Sequence, residues 1–169
     1  GIAGDNFIEF MPQVGGTPPA TTLELPRYSD LSAFTASSAS VSKIKTMLTG
    51  KLVAIAYDSN DIVLAATQVQ TPRVIDALYT SGNSDADEAQ LGLSYSGNDI
   101  IASLWAPTAQ QVSLKVYNAD KTLQSTEEMT VDNETGIWSF TGSNSLDRLF
   151  FRYELTVYHH QNQRFETME

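Results

Sequence analysis

The sequence contains no cysteine and few charged residues. Without cysteine, the chain cannot form a disulfide bond, a thiolate zinc site or a cysteine nucleophile. Charged residues make up 18% of the chain, and the 20 acidic residues outnumber the 10 basic ones to give a net charge of -10. Such a chain repels phosphate backbones and anionic lipid surfaces, so we expect neither nucleic acid nor a membrane as a partner. A neutral ligand such as a sugar meets no such repulsion.

Long apolar runs are also absent. No stretch reaches the roughly 20 apolar residues that cross a bilayer, and no signal-peptide pattern is visible. The chain begins at Gly1 rather than at Met and ends directly after a strand-like stretch. We therefore expect a segment of a longer protein, and the missing signals do not locate that protein in the cell.

Hydrophobic residues make up 41% of the sequence, which is enough to build a core. Before residue 81, the pattern predicts a strand over 7–11, a helix over 40–48, a hairpin of strands 52–57 and 62–69, and a helix that opens at Pro72. Residues 81–90 contain no large apolar side chain and are predicted to be a linker. The predicted domains are therefore 1–84, with one or two short helices, and 85–169.

The second half has a different pattern, with short strands at close spacing and turn residues between them. The predicted strands span 91–95, 100–105, 112–117, 123–131, 137–140, 149–158 and 164–168. Within 112–117, the alternation places Val112, Leu114 and Val116 on one face. This spacing is typical of an immunoglobulin-like sandwich. The predicted fold class is mainly β, with two β-sandwich-like domains, the second of them immunoglobulin-like.

The acidic residues do not form a pattern that indicates catalysis. A retaining glycosidase needs two carboxylates about 5 Å apart across the sugar. Asp58, Asp61, Asp132 and Glu134 instead lie in predicted turns, where such residues are favoured for backbone reasons. We predict no catalytic residue.

Two further clusters contain residue types that bind metals. Asp85, Asp87 and Glu88 lack the glycine and the terminal glutamate of an EF-hand loop, so a solvated linker is favoured over a calcium site. Alternation along a strand places His159 and His160 on opposite faces, which is poor geometry for one metal. We predict no metal site and no cofactor.

Three segments resemble a known family. Residues 104–112, LWAPTAQQV, resemble the WAP-x-A-x-x-V signature of carbohydrate-binding module family 48. Residues 136–140, GIWSF, are similar to the Gly-x-Trp strand of that family. Residues 151–155, FRYEL, resemble its later Tyr-x-Tyr strand, with Phe151 in the first aromatic position. Residues 103–169 are similar to secreted pullulanases of Gram-negative bacteria, and 52–56 and 68–71 are similar to the domain that precedes the module in those enzymes.

The resemblance implies a function for the parent protein and for this segment. The parent is expected to hydrolyse α-1,6-glucosidic bonds in pullulan and branched starch, and to be extracellular or at the cell surface. No catalytic motif of the family matches this sequence, so the implied segment is not an enzyme. It is expected to position the catalytic barrel, with that missing domain and α-glucans (pullulan, starch, maltooligosaccharides) as partners. A purely structural segment and a generic sandwich interaction domain without sugar binding stay open as alternatives.

Outward-facing aromatic rings are the residues to inspect for sugar binding, because a pyranose has an apolar C–H face that stacks on a ring. Alternation places Tyr117, Phe150 and Tyr158 outside the predicted sandwich, whereas Trp138 is expected in the core. Trp105 is also expected to face out. These four outward residues are the glucan-binding candidates, although burial against an adjoining domain explains their exposure equally well.

Overall fold

The structure is a computed structural model that describes residues 7–36, 41–82, 84–159 and 164–168. The chain forms two compact units, Gly1–Thr46 and Met47–Glu169. Residues such as Ser40 and His160 lie outside the described part of the chain.

The first unit is small and has little regular structure among its described residues. Strands β1 (Met11–Pro12) and β2 (Phe34–Thr35) pair antiparallel, and helix α1 spans Pro19–Glu24. The strand predicted over 7–11 therefore begins only at Met11. It ends after one more residue, because Pro12 has no N–H to donate to a partner strand. Helix α2 (Val41–Met47) matches the helix predicted over 40–48.

The second unit opens with a hairpin and a helix. Strands β3 (Val53–Tyr57) and β4 (Val63–Gln68) pair antiparallel around a turn that Asp58 organises. The Asp58 carboxylate accepts hydrogen bonds from the backbone N–H groups of Asn60 (2.8 Å) and Ile62 (2.9 Å). Helix α3 (Pro72–Tyr79) has proline at its first position, as the sequence predicts.

The segment predicted as a linker contains regular structure. Strands β5 (Thr80–Ser81) and β6 (Ser84–Asp85) form a two-stranded hairpin, and Ala86–Glu88 forms a 3-10 turn. Tyr79 and Ala86, on either side of this hairpin, are both buried. Ala86 is therefore packed against the rest of the unit, whereas most of the other described residues in 81–90 are exposed. The boundary between residues 84 and 85 stays a prediction.

Two four-stranded antiparallel sheets form the rest of the unit. One sheet has the order β11-β12-β8-β7 and the other the order β10-β9-β13-β14. The strands are β7 (Gly92–Ser96), β8 (Asp99–Trp105), β9 (Gln111–Tyr117), β10 (Leu123–Glu128), β11 (Thr130–Asp132), β12 (Ile137–Ser143), β13 (Phe150–His159) and β14 (Arg164–Met168). The predicted mainly β class is confirmed.

The core lies between these sheets. Val112, Leu114 and Val116 of β9 are buried there, as their alternation predicts, together with Trp138 of β12. The Trp138 indole N–H donates to the carbonyl of Ala106 (3.0 Å), which satisfies the one polar atom of its ring system.

A tyrosine joins the two sheets across the core. The Tyr153 hydroxyl on β13 donates to the carbonyl of Ser103 on β8 (3.2 Å). Burial raises the pKa of Tyr153, so the hydroxyl keeps its proton and stays a donor.

The single strand predicted over 123–131 is wrong. Residues 123–131 form two strands, β10 and β11, which belong to different sheets. Met129 lies between them with its side chain buried, and its backbone N–H donates to the carbonyl of Val112 (3.0 Å). The chain crosses from one sheet to the other at this residue, and the Met129 side chain packs in the core between them.

Candidate functional site

Strand β13 carries two of the four candidate aromatic residues at its two ends. In β13, Phe151 pairs with Val116 and Tyr153 with Leu114, so both lie on the inner face of the sheet, although Phe151, near the end of the strand, is still exposed. Phe150 and Tyr158 therefore lie on the outer face of the same sheet. At about 3.3 Å per residue they are roughly 26 Å apart along the strand, too far to belong to one small site.

At the first end, exposed apolar side chains lie together. Phe150 pairs with the half-buried Tyr117, which pairs in turn with Leu123 on β10. Phe150 is 57% exposed. We call the following five exposed residues the apolar end: Leu93, Tyr95, Leu123, Phe150 and Phe151.

A narrow cleft opens between the two sheets at the apolar end. Its volume is about 40 Å³, and Leu93, Tyr95, Phe150 and Phe151 are among its lining residues. The Tyr95 hydroxyl donates to a carboxylate oxygen of Asp147 (2.9 Å), which also lines the cleft. This hydrogen bond, together with the charge of the carboxylate, raises the pKa of Tyr95. The cleft is too small for a sugar ring, and its walls are mainly apolar.

Trp105 is on the other sheet, at the end of β8. Its indole N–H donates to the carbonyl of Thr135 (2.9 Å), and the ring is half-buried. Asp132 holds that turn, since its carboxylate accepts from the Thr135 hydroxyl (2.8 Å) and from the N–H of Glu134 (2.9 Å). Trp105 therefore lies on a different sheet from the other three candidates. Its ring N–H already forms a hydrogen bond within a turn.

At the second end of β13, Tyr158 lines a larger groove. The ring of Tyr158 meets that of Phe165 edge-on, with 5.4 Å between ring centroids. The groove has a volume of about 170 Å³ and lies between the sandwich and the hairpin of β3 and β4. We call it the hairpin groove, and the residues important here are Thr49, Leu52, Gln68, Thr71, Thr108 and Tyr158.

The hairpin groove contains residues that the sequence did not single out. Thr49, Gln68 and Thr71 come from the upstream part, whereas Thr108 follows the tryptophan-containing β8. Gln68, Thr71 and Thr108 lie within 68–71 and 104–112, two segments that carry the family resemblance, but nothing in those segments marks the three side chains as ligand-binding. The packing of the upstream hairpin on the sandwich brings Gln68 and Thr71 to Tyr158. Thr108 is placed there within the sandwich, where the nearby Gln110 N–H donates to the Thr156 carbonyl (2.9 Å). Tyr158 was the one member that alternation identified.

The acidic residues of the turns have structural partners. Hydrogen bonds from the backbone N–H groups of Ile62 and Asn60 lower the pKa of Asp58. The hydroxyl and then the N–H of Thr122 lower the pKa of Asp120 in the same way. These carboxylates stabilise turns in their charged form.

Among the described candidates for metal binding, Asp85 has a structural role. Asp85 caps the 3-10 turn by accepting from the N–H of Asp87 (3.1 Å). Within the ranges that the structure describes, no group of three or more His, Asp or Glu side chains is arranged to hold a metal ion. The same part of the chain has no helix of the length and apolarity that crossing a membrane requires.

Two family profiles match the chain in succession. The Pullulanase N2 domain matches residues 1–77. Carbohydrate-binding module 48, the isoamylase N-terminal domain, matches residues 90–167. Strands β5 and β6 lie in residues 78–89, between the two matched ranges.

Curated relatives and solved structures agree with these profiles. A pullulanase of Klebsiella pneumoniae is 39% identical over 126 residues, which cover 75% of this chain and 11% of the relative. Pullulanase 1, chloroplastic, of Arabidopsis thaliana is 27% identical over 124 residues, 73% of this chain and 12% of the relative. The maltotriose complex of PulA from K. pneumoniae superposes with a TM-score of 0.84 at 33% identity, over 96% of this chain and 17% of that one.

The chain thus spans about a tenth of the curated pullulanases that it matches. PulA from Klebsiella oxytoca also superposes, with a TM-score of 0.83 at 33% identity over 96% of this chain. The chain therefore belongs to the pullulanases as an N-terminal accessory region, in which an N2 domain precedes a carbohydrate-binding module of family 48.

Proposed function

We propose that this region positions the catalytic domain of a pullulanase through the apolar end of its sandwich, and that it also binds α-glucan. The whole protein hydrolyses α-1,6-glucosidic bonds in pullulan and branched starch, outside the cell or at its surface. This chain by itself does not hydrolyse glucan. The observation that carries the positioning role is the apolar end itself.

Five exposed apolar residues at one end of a sandwich favour a protein contact. An exposed apolar patch costs free energy in water, and covering it recovers about 25 cal/mol per Å². The partner is the remainder of the same pullulanase, since the matching K. pneumoniae chain extends over several times the length of this one. A sugar is a poorer occupant here, because the residues of the apolar end bring few hydrogen-bonding groups.

A chimera tests the positioning role. This chain would replace the matching segment of K. pneumoniae pullulanase, and Phe150→Ser would be introduced both into the chimera and into the free chain. In the free chain Phe150 is exposed, so the change should barely alter Tm. In the chimera it should lower Tm by several degrees, because it removes buried contact area.

Phe165→Ser is the matched control for this test, since Phe165 is an exposed phenylalanine at the opposite end of the same sheet. It should shift Tm equally in the chimera and in the free chain. An equal shift for Phe150→Ser as well would contradict the proposed contact, as would a chimera of full stability that leaves Phe150 accessible to solvent.

α-Glucan binding is the second part of the proposal. It is supported by the match to a carbohydrate-binding module and by the outward position of Tyr158. The related PulA from K. pneumoniae is known in complex with maltotriose. A neutral glucan also meets no repulsion from a chain with a net charge of -10.

Calorimetric titration with maltotetraose and with a branched maltooligosaccharide tests this part. We expect the parent chain to give saturable heat. The same titration of Trp105→Ala would show whether that side chain takes part in binding. A folded chain that gives no heat up to millimolar sugar would contradict glucan binding and leave the purely structural role. A generic interaction domain would give the same silent titration, but it would not stabilise the chimera.

A further inference from the structure

We infer that the hairpin groove is where this chain binds a maltooligosaccharide, and that the upstream hairpin and the sandwich build the site jointly. The inference rests on the proposed α-glucan binding and gives it a location. It selects Tyr158 among the four candidate aromatic residues.

The chemistry of the groove lining fits a neutral polyhydroxylated ligand. Hydroxyl groups come from Thr49, Thr71 and Thr108, and an amide comes from Gln68. Among the described residues that line the groove, none has a carboxylate or a basic side chain. This is notable in a chain with 20 acidic residues. A charged ligand would find no counter-charge there, whereas sugar hydroxyls can both donate to and accept from these groups.

The groove also provides the apolar surface that a pyranose needs. Tyr158 is half-buried, and its edge-on contact with Phe165 restricts the orientation of the ring. Leu52 and Ile75 add aliphatic surface beside it. An aromatic ring held in place, with hydroxyl and amide groups around it, is the combination that sugar recognition uses, because the C–H face stacks while the ring hydroxyls form hydrogen bonds.

The apolar end lacks this combination. Its cleft of about 40 Å³ is much smaller than the groove of about 170 Å³. The ionisable side chains Asp147 and Arg148 also line that cleft. Phe150 therefore offers a ring without the surrounding neutral polar groups.

The two sides of the groove come from distant parts of the sequence. Gln68 and Thr71 lie within the segment that the Pullulanase N2 profile matches, whereas Thr108 and Tyr158 lie within the module. The binding site is therefore incomplete in the module without the upstream hairpin. This predicts that variants in the hairpin weaken binding as much as variants in the module.

Titration of the full chain with maltotriose tests the site. We expect Tyr158→Ala and Gln68→Ala each to weaken binding about tenfold, which corresponds to ~1.4 kcal/mol. Tyr158→Phe, which keeps the ring, should retain most of the affinity. Phe150→Ala is the matched control on the same strand and should leave the affinity unchanged. Tm of every variant would be measured alongside, and Gln68→Ala, in an exposed position, decides the matter if Tyr158→Ala is unstable.

The outcomes separate this inference from the proposed function. If Phe150→Ala abolishes binding while Gln68→Ala and Tyr158→Ala do not, the groove is not the site, although glucan binding stands. If the parent chain gives no heat with maltotriose or with the longer glucans, both glucan binding and the groove are overturned. The positioning role is decided independently by the chimera.

Discussion

The two ends of strand β13 differ in chemistry although they lie on one face of one sheet. Around Phe150 the neighbours are apolar and exposed, and the adjoining cleft is small. Around Tyr158 the groove lining combines threonines and a glutamine with aliphatic side chains, and the groove is larger. Side-chain alternation sets which face a residue occupies, but the elements that pack beside each end decide what that residue can bind.

The comparison suggests a division of roles within one small region. The apolar end suits a dry contact with another protein surface, whose stability comes from buried area. The hairpin groove suits a neutral ligand that is held by stacking and hydrogen bonds. Both ends depend on the same core. A substitution that destabilises the core should therefore impair both the protein contact and sugar binding, whereas a substitution at one end should impair only the function of that end.

The largest effect is expected when the shared core is opened. Trp138→Ala removes a buried ring and the hydrogen bond to Ala106, and should cost about 3–5 kcal/mol of unfolding free energy. Urea denaturation would measure it, with Phe165→Ala as an exposed control expected to cost far less. Both maltotriose binding and the stability of the chimera should be lost. Survival of either one at full strength would mean that the two ends do not share a core.

A smaller effect is expected at a tight glycine turn. Gly136 has φ of +70°, and a Cβ there would lie 2.6 Å from that of Pro107 and 3.1 Å from the ring of Tyr79. Gly97 has φ of +61° at a turn with open space around it. Both alanine variants suffer left-handed strain of about 1–2 kcal/mol. Gly136→Ala should cost a further ~1–3 kcal/mol from the overlap.

The difference in unfolding free energy between these two alanine variants, measured in urea, reports the close packing around Gly136, which includes Tyr79 at the end of α3. Because Ile75 of α3 lines the hairpin groove, Gly136→Ala should also weaken maltotriose binding, whereas Gly97→Ala should not. Equal destabilisation by the two substitutions would show that the Tyr79 contact does not constrain this turn.

The smallest effect concerns pH. Hydrogen bonds lower the folded-state pKa of Asp58, in the hairpin beside the groove, and of Asp120, in the turn after Tyr117. A lowered pKa stabilises the folded state above the unfolded value, near 3.8, and this contribution is lost as pH falls through the lowered value. Asp58→Asn and Asp120→Asn should therefore reduce Tm slightly at pH 7.

The same two variants should approach the parent chain in stability as the pH is lowered below 3.8. Thermal unfolding between neutral and acidic pH measures this convergence. A Tm difference that stays constant with pH would show that the carboxylate charge is not what stabilises these turns.

Much of the sandwich could be predicted because its strands alternate clearly. Val112, Leu114 and Val116 identify the buried face of β9, and the pairing of β13 follows the same rule. The break at Met129 could not be predicted, since the polar residues before it fit one long edge strand. Only the burial of Met129 between two sheets reveals the crossing.

The candidate site was predictable in part for a related reason. Alternation placed Phe150 and Tyr158 outside, but it could not show that their surroundings differ. Gln68 reaches Tyr158 only through the packing of the hairpin on the sandwich. For Trp105, alternation predicted the outward position, but it could not predict that the indole N–H donates to the Thr135 carbonyl.

Hydrogen–deuterium exchange of the full chain, with and without saturating maltotriose, tests the division of roles most directly. We expect the sugar to slow exchange around 48–52, 66–71 and 156–159, which border the hairpin groove, and to leave exchange at 93–95 and 149–151, at the apolar end, unchanged. Protection centred on 149–151, with none in the upstream hairpin, would contradict it.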